Sequence, residues 1–203
     1  MTSPNPASNS AVKVTFKAAF KAARWQFASA VSLLSLLLLM APQALHLLMW
    51  ERSAIAHGEL WRWMSAHLVH LTVMHCLSNV LGLWLICEYL WDELSLADAC
   101  VLFLGTGAGI SLLLWWFASD IGWYAGLSGV LHGLWAGCAL AWFCRTGDRT
   151  AVGALGLLAI KLVLPLYTLN ALPVVTVAHT YGALCGLIWA VLRGCQRRYR
   201  FFG

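Results

Sequence analysis

Six long stretches of predominantly apolar sequence constrain this chain more than any other feature. A helix rising 1.5 Å per residue needs roughly 20 residues to cross a hydrocarbon core about 30 Å thick. In lipid every backbone N–H and C=O must be satisfied within its own segment, so such stretches fold as helices. The pattern predicts spans over about 26–49, about 71–90, a third ending near 117, a fourth from near Leu127 to the "CRTGDR" loop, a fifth over 151–169 and a sixth over 174–192. Pro165 is expected to break the fifth late in its course. Only 10% of the 203 residues are charged and 61% are hydrophobic. A soluble domain carries about 25% charged residues, so this chain cannot cover a surface facing water. The expected fold class is all-α: a polytopic membrane protein with one six-helix membrane domain over 26–192. Basic tails over 1–25 and 193–203 flank it.

The basic residues orient that bundle. Lys13, Lys17, Lys21 and Arg24 precede the first span, and Arg193, Arg197, Arg198 and Arg200 follow the last. Basic residues ahead of an apolar run also describe a signal peptide. This run is too long for that and further spans follow, so an uncleaved first helix is expected. Arg145 and Arg149 mark the loop after the fourth span, on the same side as both termini. The opposite side carries only Arg52 and Arg62. Cytoplasmic loops collect Lys and Arg, so both termini are expected in the cytoplasm of a bacterial inner membrane. Trp50, Trp61, Trp63 and Trp123 then fall near the outer interface. Topology accounts for the net charge of +5, and no nucleic-acid partner is called for. The scattered cysteines Cys76, Cys87, Cys100, Cys138, Cys144, Cys185 and Cys195 form no CxxC pair and read as small packing residues.

Polar side chains inside spans are costly and mark function more often than other positions do. His75 and Asn79 lie four apart, on one face of the second span. The fourth span opens with Ser128, inside "GLSGVLHGL". The sixth opens with "AHTYGALCG", where Gly182 and Gly186 behind His179 form a groove that lets a neighbouring helix come close. Topology puts all four polar groups in the outer half of the membrane, where they can form one site. A serine hydroxyl becomes nucleophilic when a base takes its proton, and His179 is such a base. Ser128 at a helix N-terminus has free N–H groups beside it, and with His75 and Asn79 these can hold an oxyanion. No carboxylate lies near His179 in sequence, so the pair reads as a dyad. Val130 stands where the GxSxG nucleophile elbow requires glycine, which excludes an α/β-hydrolase.

Taken in order, these motifs resemble the rhomboid intramembrane serine proteases, from about Trp61 to Gly186. "WR" at Trp61 and Arg62 is similar to that family's first-loop motif, and "HLTVMHCLSN" to its HxxxN. "GLSG", with Gly126 and Gly129 around Ser128, is similar to the nucleophile motif, and "AHTYGALCG" to AHxxGxxxG. His132 replaces the aromatic residue common four positions after the serine, and "WYAGLSGVLHGL" resembles the rhombosortase branch. The resemblance implies a serine endopeptidase without cofactor or metal. Its partners would be the bilayer and a membrane-anchored protein whose C-terminal GlyGly-CTERM tail helix is cleaved on the periplasmic side. Ser128 and His179 would be catalytic, and His75 and Asn79 would serve the oxyanion. Rival readings are a catalytically silent relative that binds membrane clients, and a b-type haem protein using pairs from His75, His132 and His179. His132 is expected to stack on and orient His179, or else to fill space and bond a nearby backbone carbonyl. Lys161, deep in the fifth span, either snorkels to the nearer interface or faces the bundle. His67 and His70 suggest a metal less than they suggest backbone bonding in the first loop.

Overall fold

In the computed structural model, residues 6–91, 94–164 and 173–199 are described. The first helix, α1 (Pro6–Leu39), starts within the basic segment and stops well short of residue 49. Pro42 lacks an N–H and pushes its predecessor away from helical angles, so the apolar run breaks there and resumes as the single-turn α2 (Ala44–Leu48). A two-residue strand, β1 (Trp50–Glu51), leads into two more short helices, α3 (Arg52–Ala56) and α4 (Arg62–Ser65).

Longer helices follow, most with a start signal. In α5 (Val73–Tyr89) the Thr72 side chain caps the first turn by accepting from the His75 N–H. Ser95 and Asp98 form a capping box at the head of α6 (Leu96–Phe117). A second strand, β2 (Trp123–Tyr124), pairs antiparallel with β1, Trp50 opposite Tyr124. Next, α7 (Ser128–Thr146) ends on Gly147 at φ 69, the left-handed cap that glycine tolerates. Asp148 caps α8 (Arg149–Val163) through the Thr150 N–H, and α9 (Pro173–Tyr199) closes the described chain. The stretch 165–169, the expected end of the fifth span, lies outside the described residues. Two described segments, Ala22–Leu39 and Leu96–Phe117, are long and apolar enough to cross a membrane, and Val73–Tyr89 is a shorter apolar helix.

The core gathers around α7, which packs against α5, α6, α8 and, most extensively, α9. Glycine makes the α7–α9 contact possible. A methyl group added to Gly182 would overlap the Gly129 carbonyl, and one added to Gly186 would overlap the Gly133 carbonyl. The two backbones therefore touch along a stripe of small residues spaced four apart, the geometry of close membrane-helix crossings.

Arg52 fixes the other end of α6. Its guanidinium donates to the carbonyls of Leu114 (2.7 Å), Ala118 (2.8 Å), Trp115 (3.0 Å) and Ile121 (3.2 Å). It also lies 5.1 Å from the ring centroids of both Trp50 and Trp115. Leu114 and Trp115 lie in the last turn of α6 and Ala118 and Ile121 just beyond it, so one planar cation ties the helix end to the chain that follows. In the sequence Arg52 reads only as a topological marker, so this clamp is a finding of the structure. Arg52→Met is expected to destabilise the protein by on the order of 3 kcal/mol, read as a lower unfolding temperature in detergent. Arg52→Lys should recover only part of that loss.

Candidate active site

Ser128 is the first residue of α7, and the turn before it is held from several sides. Gly126 sits at φ 124, a region that side chains rarely adopt. The His75 ring also lies so close to Gly126 that an added Cβ would overlap it. Gly126 donates its N–H to the Ala66 carbonyl (2.9 Å) and receives the Tyr124 hydroxyl on its own carbonyl (2.7 Å). The Leu127 N–H reaches His70 Nε2 at 3.4 Å. Burial holds the His70 imidazole down to about 4, so the ring stays neutral and Nε2 keeps its lone pair for that N–H. Gly129 has no room for a side chain either, since a Cβ there would press on the Tyr124 hydroxyl and Ile110. The serine is thus presented on a rigid turn, at a helix end whose first N–H groups lack intrahelical acceptors.

Two histidines complete the arrangement. The glycine contact brings α9 against α7, and His179 Nε2 comes to 2.9 Å from Ser128 Oγ. His132, one turn along α7, stacks on His179 with ring centroids 4.0 Å apart and 14° between planes. His132 Nδ1 lies 2.7 Å from the Ser128 carbonyl oxygen; a carbonyl only accepts, so Nδ1 carries the hydrogen. The ring thus stacks on His179 while its polar bond goes to backbone. The face-to-face stack leaves no gap between His132 and His179 for a haem plane.

Asn79 is buried, and its Nδ2 has no partner among the described residues. It lines a cleft of about 490 Å³ that also takes in Ser128, His179, His132 and Lys161. The rest of the lining is largely apolar, with Leu85, Leu131 and Leu157 among it. His75 lies beside this cleft, over Gly126 and edge-on to His70. Trp61 and Arg62 stand apart from it. Trp61 Nε1 donates to the Leu47 carbonyl (3.1 Å), and buried Arg62 donates to the carbonyls of His46 and Met49 (both 2.8 Å) and to Glu59 (2.6 Å). They build the first loop. His67 bonds the Gly107 carbonyl through Nε2 (2.9 Å), so with His70 it serves backbone rather than a metal. Ala66 and Tyr124, which anchor the serine turn, carry no sequence signal of this role, because an alanine carbonyl and one buried hydroxyl look ordinary in a linear reading.

The stacked ring fixes the plane of His179 beside Ser128, and its effect can be read on the hydroxyl. His132→Tyr keeps an aromatic plane against His179 and should retain labelling of Ser128 by a fluorophosphonate. His132→Ala should slow labelling by about tenfold or more while leaving the protein folded. Equal, near-wild-type rates in both variants would contradict it.

The Rhomboid domain family matches residues 57–195, more than half of the chain. The rhomboid protease GlpG of Yersinia enterocolitica is 27% identical over 154 residues, covering 70% of this chain and 51% of the relative. The chain therefore spans about half the length of that curated relative. The match takes in every motif from His75 to Gly186, and the chain belongs to the rhomboid family.

Proposed function

We propose that the chain is an intramembrane serine endopeptidase acting through a Ser128–His179 dyad. The observation that carries this reading is the 2.9 Å approach of His179 Nε2 to Ser128 Oγ at the N-terminus of α7. Two hydrogen-bonding groups stand near it, the Asn79 Nδ2, unpartnered among the described residues, and the His75 ring over Gly126. The chain is read as six spans with both termini cytoplasmic in a bacterial inner membrane, and the cleft opens in the outer half. A client tail unwinds near its small residues and lays an extended peptide across Ser128. His179 takes the hydroxyl proton as Ser128 attacks the carbonyl carbon. The oxyanion is held by Asn79, His75 and the free N–H groups of the first turn, where preorganised donors act strongly. His179 then protonates the leaving amine, and water, deprotonated by the same imidazole, releases the acyl group. His132 keeps the base in the plane that both steps need.

The finer assignment is to the rhombosortase branch, with C-terminal GlyGly-CTERM tails of exported proteins as substrates. The imidazole at position 132 within "WYAGLSGVLHGL" supports it, together with a largely apolar cleft at Ser128 that offers polar side chains few partners. Co-expression with an exported protein bearing such a tail tests both levels. Wild type should shorten the client, while Ser128→Ala and His179→Ala should leave it intact. Asn79→Ala should slow processing by about 10²- to 10³-fold, as loss of one oxyanion donor does elsewhere. Processing at full rate by Ser128→Ala would end the serine-protease reading. Cleavage of other membrane clients but not of this tail would end the branch assignment alone.

A further inference from the structure

Lys161 is the one charged side chain lining the described cleft. It is exposed there, and no described residue supplies it with a hydrogen-bond or ion-pair partner. Its depth can be read from the helices. It lies twelve residues after Arg149, so about 18 Å along α8 at 1.5 Å per residue. His132 lies fourteen residues before Thr146, about 21 Å along α7 from the same side. Lys161 is therefore level with His132, about one turn below Ser128, and shares the cleft with His132 and His179. Ala154 and Leu157, seven and four residues earlier on α8, line the same cleft, so this is the helix face turned toward the site. Helical side chains lean toward the N-terminus of their helix. That direction takes Lys161 away from the free carbonyls at the end of α8 and away from the nearer interface, which argues against snorkelling.

An ammonium in an apolar cleft, with no partner among the described residues, has three donors and no acceptor to offer. Acidic side chains are rare in membrane segments, whereas any client that unwinds frees main-chain carbonyls that need new donors. We infer that Lys161 is a substrate-positioning residue that donates to a main-chain carbonyl of the unwound client, deeper in the cleft than the peptide bond under attack. This rests on the protease reading above. The ammonium holds the peptide extended and supplies a partner for a group that would otherwise return to the client's helix.

A double-mutant cycle tests it, with semisynthetic clients in which single amide units flanking the cleaved bond become alkene isosteres that lack the carbonyl. Lys161→Met should lower kcat/KM for the all-amide client by about tenfold or more, the size expected for a hydrogen bond to a charged group. Lys161→Arg should retain most of the rate. One isostere position should lose a similar factor with wild type and nothing further with Lys161→Met. Losses that multiply at every position would overturn the inference, and so would an unchanged rate in Lys161→Met. So would a Lys161→Met loss seen only for clients carrying a nearby Glu or Asp, which would mark a carboxylate site. Ser128→Ala, run in parallel, reports on the protease reading separately, since it must abolish cleavage of every client whatever Lys161 does.

Discussion

The direct contact of two backbones, α7 against α9, is what the rest of the site depends on. Carbonyls of Gly129 and Gly133 sit where side chains at 182 and 186 would be, and the Gly182 carbonyl in turn crowds Gly133. Ordinary helix pairs stand 8–10 Å apart because side chains fill the space between them. Here the absence of side chains sets the distance, and the hydroxyl of Ser128 and the imidazole of His179, one on each helix, fall within hydrogen-bond reach. In lipid, where apolar surface gains little by leaving its solvent, such close packing is itself a main source of helix association. The same residues thus hold the bundle together and set Ser128 against His179.

Around that contact, the chain before Ser128 is fixed by groups far away in sequence. Ala66 and His70, from the loop before α5, bind Gly126 and Leu127. Tyr124 closes the turn from below, and β2, which contains it, is pinned to β1 beside the Arg52 clamp. A serine on a loop free to move would visit His179 only part of the time. Here hydrogen bonds from two directions hold the two residues before it, which fixes where the helix and its first hydroxyl begin.

Much of this is legible in the sequence, for a physical reason. Polar residues in apolar spans stand out, and helical periodicity alone puts His75 with Asn79, and Gly182 with Gly186, on shared faces. Ser128, His132, Asn79 and His179 do meet in one cleft. The end of α1 is not legible in the same way, because the apolar run continues past Pro42 and hydropathy does not register a missing N–H. The Arg52 clamp and the Ala66 and Tyr124 anchors are invisible for a different reason. Apart from the local Tyr124 bond to Gly126, they join residues about 60 positions apart through backbone carbonyls, and carbonyls are the same at every position.

Control of the serine's reactivity by the glycine contact is tested most directly by the rate at which a fluorophosphonate labels Ser128 in glycine variants. Gly182→Ala and Gly186→Ala place a methyl group against a facing carbonyl, whereas Gly153→Ala on α8 adds one to open space. A loss on the order of 10²-fold is expected for the first two and a wild-type rate for the third, with all three proteins still folded in detergent. Wild-type labelling in Gly182→Ala would contradict such control.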